Sequence, residues 1–154
     1  MSFFCLYHES PIGLLQLKAA ETHLYRISFT ENKKHDENKN SLLEEVSEQL
    51  GLYFSGGLQI FDLPWILEGS EFQNAVLRAA AKIPFGKTKS YKDIAVQIGD
   101  EKSVRAAGMA LKNNPIPIIV PCHRVIGSDG KLTGYAGGIW RKERLLQHEG
   151  VLLI

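Results

Sequence analysis

SVRAAGMALKNNPIPIIVPCHRVIG (residues 103–127) consists of two unlike halves joined at Asn113-Asn114-Pro115. In the first half the small residues Ala106, Ala107, Gly108 and Ala110 follow Ser103 on a helical pattern, and Asn113-Asn114-Pro115 stops it. In the second half a bulky apolar run, IPIIV, ends at Pro121, and a cysteine, a histidine and an arginine follow in succession. Upstream, Ser90 caps YKDIAVQI (91–98), which closes at Gly99, where helices favour a left-handed residue. Two short helices around a tight glycine-containing turn make a helix-turn-helix. The small residues of the second helix permit close approach to another backbone, and Arg105 lies in its first turn, where an exposed side chain can reach DNA. A purely structural helical hairpin fits the same pattern, and the pattern alone does not separate the two.

Working outward, Ser70 with Gln73 caps a helix carrying Phe72, Val76, Leu77 and Ala80, which stops at Ile83-Pro84-Phe85-Gly86. The amino-terminal part has a different period. From Phe3 to Phe29, short apolar runs predict a few strands, with a hairpin turn at Ser10-Pro11-Ile12-Gly13. ENKKHDENKN (31–40) is a polar loop, and SLLEEVSEQLGLYF (41–54) puts Leu42, Leu43, Val46 and Leu50 on one helical face. Ser41 and Glu44 form the expected capping box of that helix, and Gly56-Gly57 ends it. LQIFDLPWILEG (58–69) is an extended exit. These changes divide the chain into residues 1–69, an amino-terminal α/β domain, and 70–154, a mainly helical domain.

Composition sets outer limits. With 154 residues, 44% hydrophobic and 23% charged, the chain suits a soluble globular protein. No apolar run approaches the roughly 20 residues that span a bilayer, and the start has no basic segment leading a sustained apolar stretch, so the expectation is an intracellular, cytoplasmic protein. Two cysteines, Cys5 and Cys122, argue for free thiols in a reducing compartment. The net charge of +1 hides an asymmetry. Residues 1–69 carry 5 Lys/Arg against 10 Asp/Glu, whereas residues 70–154 carry 13 against 7. The basic half is the candidate for a polyanionic partner, although neither half contains a dense basic block.

Cys122 admits three readings. A buried small hydrophobe is the commonest fate of a free cysteine. A metal site is poorly supported, because His123 is adjacent and no second cysteine or histidine lies nearby at ligand spacing. A nucleophile needs thiolate character, which His123 and Arg124 would promote by stabilising negative charge. Pro121 favours the third reading, since it stiffens the chain and removes a donor where the strand-like IPIIV ends, placing the cysteine at a turn.

IPIIVPCHRVIG resembles the signature of the O6-alkylguanine-DNA alkyltransferases, the methylated-DNA-protein-cysteine methyltransferase family. FQNAVLRAAAKIPFGKTKSYKDIA (72–95), residues 103–127 and GYAGGIWRKERLLQHEG (134–150) are similar to that family in order and spacing. Upstream, SPIGLLQL and FDLP resemble its variable amino-terminal domain only weakly. The resemblance implies an α/β fold: a small amino-terminal α/β domain with a short β-sheet, and a mainly helical carboxy-terminal domain containing the helix-turn-helix. It implies that Cys122 accepts an alkyl group from O6-alkylguanine, and possibly from O4-alkylthymine, in a flipped-out nucleotide, once per molecule. His123 then works through a bound water and is polarised by Glu149 in the last helix, with Tyr135 contributing from the binding-site loop. Tyr91 presses on the target nucleotide's phosphate, Arg105 enters the duplex in place of the extruded base, and Asn114 is the hinge between recognition helix and active-site strand. Ala106, Gly108 and Arg124 complete the expected DNA-contacting set.

The implied chemistry is coherent, because an adduct at the pairing edge of a base lies inside the stack and must be extruded before a sulfur can reach it. Thiolate is a poor leaving group from the thioether product, and no residue resembles machinery to displace it. The expected partner is double-stranded DNA carrying alkylated bases, bound by a monomer with no membrane association, no cofactor and no metal. Some relatives bind zinc through amino-terminal cysteines and histidines, whereas here Cys5 stands alone in that domain. Arg144 stands where family members often have tryptophan, and Ala136 where some carry serine. Two other readings keep the fold: a non-catalytic sensor of alkylated DNA, which has another residue at the acceptor position, and a helix-turn-helix regulator that uses the cysteine as a sensor.

Overall fold

The computed structural model describes residues 3–151. The chain forms two compact units, Met1–Leu67 and Glu68–Ile154.

The first unit is an antiparallel sheet of β1 (Phe4–Ser10), β2 (Gly13–Ala19) and β3 (Leu24–Thr30) in that order, backed by helix α1 (Ser41–Ser55). Pro11 and Ile12 make the two-residue hairpin turn. Ser10 Oγ donates to the Gly13 carbonyl at 2.7 Å and accepts from the Ile12 N–H at 3.2 Å. Leu15, Leu17 and Ala19 alternate on the buried face of β2, as period-2 patterning requires, and Leu43, Val46, Leu50 and Tyr53 bury the facing stripe of α1. The N-cap of α1 is Asn40 and not Ser41, so the expected Ser41–Glu44 capping box is replaced. The Asn40 side chain accepts from the Leu43 N–H at 2.9 Å and donates to the Ala20 carbonyl at 3.4 Å, joining the helix start to the β2–β3 turn. Asn competes as well as Ser for such positions. The exit segment is held by backbone bonds on either side of Leu24, from the Leu24 N–H to the Pro64 carbonyl and from the Ile66 N–H to the Leu24 carbonyl.

The second unit contains α2 (Glu71–Ala81), α3 (Tyr91–Gln97), α4 (Val104–Lys112) and α5 (Ile139–His148), with a two-residue parallel ladder between β4 (Lys89–Ser90) and β5 (Val125–Ile126). Ser70 caps α2, and Ser90 with Asp93 closes a reciprocal capping box on α3. α3 and α4 pack together as the helix-turn-helix. The ladder is too short to carry a periodic signal, which is why the sequence does not reveal it. IPIIV is not a strand either. It folds into a compact turn with a bridge between Pro117 and Val120, and Ile118 adopts φ 75°. Among the described residues no helix is long and apolar enough to cross a membrane.

Candidate active site

Asn114, just beyond the end of α4, organises the segment that leads to the cysteine. Its side-chain oxygen accepts from the Ile116 N–H at 2.9 Å, and its amide donates to the Val120 carbonyl at 2.8 Å, so one side chain grips both ends of the turn. The Val120 N–H bonds to the Ile116 carbonyl, and the Cys122 N–H to the Val120 carbonyl. A left-handed backbone at a β-branched residue costs on the order of 1–3 kcal/mol and persists only where the surroundings over-determine it. Ile118 meets that condition, because its side chain is buried inside the clamped turn. Asn114 was expected among the DNA contacts, and its side chain is committed to this turn.

The chain then enters a 3₁₀ turn, Cys122–Arg124, in which all three residues are buried. Burial pushes the Cys122 thiol up to about 11, and the Asn114 amide and the positive charge of Lys142 oppose that rise. The expectation that His123 and Arg124 would stabilise the thiolate is therefore not met. The resting group is a neutral thiol that needs a base.

His123 is fully buried, with Nε2 2.8 Å from Glu149 Oε2. Its other nitrogen, Nδ1, is buried and finds no hydrogen-bond partner among the described residues. Burial holds the imidazole pKa below its ordinary value, against the pull of the Glu149 carboxylate. Glu149 is the C-cap of α5 and sits one residue past the helix. Arg124 binds this carboxylate twice, Nε to Oε1 at 2.8 Å and Nη2 to Oε2 at 2.9 Å, while its Nη1 donates to the Ile83 carbonyl at 2.6 Å. The Gly86 N–H adds a fourth donor at 3.3 Å. Gly86 has φ 79°, and a Cβ there would lie 3.2 Å from the Glu149 carbonyl, so a glycine is required for this approach. Arg124 thus corrects a sequence expectation: its guanidinium is buried in an internal ion pair and is not presented to a DNA backbone.

The remaining polar residues form a second cluster, around Tyr91 at the start of α3. The Tyr91 hydroxyl donates to the Thr133 carbonyl at 2.9 Å. Lys142 on α5 donates to the Tyr91 hydroxyl at 3.1 Å and to the Thr133 carbonyl at 2.9 Å, with its ammonium 5.4 Å from the Tyr91 ring centroid. Lys142 is 1% exposed. Sequence reasoning missed it, yet a signal existed, because Lys142 shares a helical face with Leu145, Leu146 and Glu149, a core position for a charged residue. Tyr135, in the loop that Thr133 and Lys142 anchor, is buried.

Arg105 and Ala106 are exposed in the first turn of α4. A cleft of about 440 Å³ runs between this helix and the loop, lined by Tyr91, Arg105, Gly108, Met109, Lys112 and Gly134 among others. A Cβ at Gly108 would lie 3.8 Å from the Tyr91 ring, so the two residues adjoin across the cleft. The structure therefore brings Tyr91, Arg105 and Gly108 to one cleft, and Cys122, His123, Arg124 and Glu149 to one buried cluster; Lys142 touches the first and lends its charge to the second.

Residues 71–151 match the family described as 6-O-methylguanine DNA methyltransferase, DNA binding domain, and residues 3–66 match its ribonuclease-like domain. A methylated-DNA–protein-cysteine methyltransferase from Methanosarcina barkeri is 48% identical over 147 residues, covering 92% of this chain and 93% of that protein. The crystal structure of the Mycobacterium tuberculosis O6-methylguanine methyltransferase superposes with a TM-score of 0.87 at 42% identity, covering 96% of this chain and 93% of that one. A structure of the M. tuberculosis protein in complex with DNA matches with a TM-score of 0.86 at 44% identity, covering 96% and 91%. Matched in both of its units and along nearly the whole length of these relatives, the chain belongs to the 6-O-methylguanine DNA methyltransferase family.

Proposed function

We propose that this protein repairs alkylated DNA by moving an alkyl group from O6 of guanine to Sγ of Cys122, and that residues 70–154 carry both DNA binding and transfer. The observation that carries this reading is the juxtaposition around Cys122: a buried thiol beside a buried histidine with one nitrogen tied to a carboxylate and the other open. A base of that kind is what a thiol held near pKa 11 requires. Family membership and the DNA complex of the M. tuberculosis relative support duplex DNA as the partner.

The exposed Arg105, at the rim of the cleft, fills the gap that the extruded nucleotide leaves, and Tyr91 holds the rotated phosphate. The thiol proton passes to His123 Nδ1 through the bound water that the family resemblance implies. The Sγ–carbon bond forms as the carbon–O6 bond breaks, and the electron pair of the broken bond stays on the base. That base takes back one proton, with Tyr135 in the binding loop beside it, and leaves as guanine. The cysteine becomes a thioether, so each molecule acts once. The same geometry serves O4-alkylthymine, whose adduct also lies at the pairing edge. The protein works as a monomer inside the cell, without cofactor or metal.

The test is stoichiometry and address together. Protein mixed with excess O6-methylguanine duplex is expected to remove one methyl per molecule and stop, with the added mass on the peptide that contains Pro121-Cys122-His123. Cys122→Ala is expected to bind the duplex and transfer nothing, while Cys5→Ala transfers normally. Repeated turnover, or label on Cys5, would overturn the assignment.

A further inference from the structure

Resting on the alkyl-transfer reading, we propose that Arg124 is a positioning residue of the chemistry: by claiming both oxygens of Glu149, it fixes His123 as a neutral imidazole that carries its proton on Nε2 and keeps Nδ1 bare. Both oxygens of the carboxylate accept. Oε1 accepts from Arg124 Nε and the Gly86 N–H, and Oε2 accepts from Arg124 Nη2 and His123 Nε2. An ionised carboxylate only accepts, so the nitrogen that faces it carries the hydrogen, and in a neutral ring the other nitrogen is then an acceptor.

Charge decides whether the ring stays neutral. A bare carboxylate beside a buried histidine would draw a second proton onto the ring and make an imidazolium–carboxylate pair. Here the carboxylate is already neutralised by a guanidinium fixed at its far end to the Ile83 carbonyl and set 5.9 Å from the Phe85 ring centroid. The charged groups around His123 are Arg124 from its own turn and Lys142 and Glu149 from α5, two cations against one anion. Cys122, the titratable neighbour on the turn, rests as a neutral thiol. Of the other charged or titratable groups on the packed elements, Glu71 and Arg78 on α2, Lys82 and Lys87 on the following loop, and Glu143 and Arg144 on α5 are exposed, while Arg141 and His148 on α5 are partly exposed. A protonated His123 would be a third cation at a fully buried position. Burial and the Arg124 and Lys142 charges act in the same direction on its pKa.

The consequence is functional. A neutral ring with a bare Nδ1 can take the thiol proton, and an imidazolium cannot.

The test uses the full-length protein labelled with ¹⁵N-histidine, with the His123 signals assigned by their loss in His123→Gln. In wild type, His123 is expected as the neutral Nε2–H tautomer between about pH 5.5 and 8, a window that brackets the ordinary histidine pKa. In Arg124→Met the ring is expected to become imidazolium at neutral pH, with transfer to Cys122 at least about tenfold slower below pH 7 and recovering as pH rises. In the double variant Arg124→Met/Glu149→Gln, which again leaves no net charge at the pair, the ring is expected to return to neutral. A charged or Nδ1–H His123 in wild type overturns the proposal, as does a charged one in the double variant, and both measurements stand whether or not the single variant folds. An unchanged tautomer and rate profile in a folded Arg124→Met also overturn it. If wild type leaves Cys122 unmethylated, the alkyl-transfer reading fails instead, while the tautomer is still decided by the spectra.

Discussion

Glu149→Gln removes the one buried anion from a site that holds a buried guanidinium and a buried ammonium. The substitution keeps the shape and an acceptor oxygen, but its new amide points hydrogens at Arg124 or at the Gly86 N–H. Taking one partner from a buried ion pair costs about 3–5 kcal/mol, because the other charge is left uncompensated. Glu149 falls in this class, since the side chains of the pair are 0% and 7% exposed. Domains of this size hold only about 5–15 kcal/mol in total, and each kcal/mol moves the midpoint of a small domain by roughly 4–8 °C, so a drop of more than about 10 °C is expected. Arg124→Met should cost a similar amount for the mirror-image reason. The double variant should then lose at least about 2 kcal/mol less than the sum of the singles, since groups in one network do not add. Urea unfolding of all four proteins by circular dichroism measures this cycle. Additive losses, or a Glu149→Gln protein within about 1 kcal/mol of wild type, would refute the description of this carboxylate as the hub of a buried ionic cluster.

Other outcomes follow from the same geometry. Because burial holds the Cys122 thiol near 11, its reaction with iodoacetamide in free protein should keep rising up to about pH 11 and not level off near the ordinary 9.0; a plateau near 9 contradicts the burial argument. The stability linkage has a matching sign: a raised pKa favours the neutral thiol in the fold, so its contribution is complete below about pH 9, is lost as pH climbs to about 11, and is absent in Cys122→Ala. Lys142→Met keeps the apolar stem but removes the charge that favours the Cys122 thiolate, and single-turnover transfer should slow about tenfold, the equivalent of one pKa unit, with DNA affinity kept; an unchanged rate would show that the ammonium serves only to pin the loop. Arg105→Ala should slow repair of a methylated duplex far more than Lys102→Ala, while affinity in both falls with rising salt; equal repair rates would remove Arg105 from the duplex.

Much of the fold was legible because its signals are local. The hairpin turn at Pro11-Ile12, the Ser70 cap, the Ser90 cap and the left-handed Gly99 each depend on residues within four positions of one another, and each stands where the sequence places it. The misreadings arose where a distant group won. Asn40 displaced Ser41 as N-cap because its amide could also reach the Ala20 carbonyl. IPIIV has the composition of a strand, yet the Asn114 side chain takes the backbone groups at both ends, leaving no ladder for it to join. Arg124 was expected among the DNA contacts, and the carboxylate that takes it, Glu149, lies 25 positions away in sequence. Lys142 carried no expectation from the sequence, although its place among Leu145, Leu146 and Glu149 put it on a buried face.

The departures from local rule collect around one sulfur. Within a few residues of Cys122, or in contact with its turn, lie a β-branched residue at positive φ, a buried imidazole and a buried guanidinium–carboxylate pair, and the buried ammonium of Lys142 lends its charge to the same group. Each lowers stability taken alone, and sequences that specify a fold avoid such choices unless a function retains them. They are mutually dependent here. The Asn114 clamp sets the strained turn that buries the thiol, burial keeps the thiol neutral at rest, and a neutral thiol has use for a base. A thiol consumed by its first reaction gains from that order, because a permanent thiolate would be spent on any electrophile that reached it, whereas a neutral one waits for the substrate that completes the site.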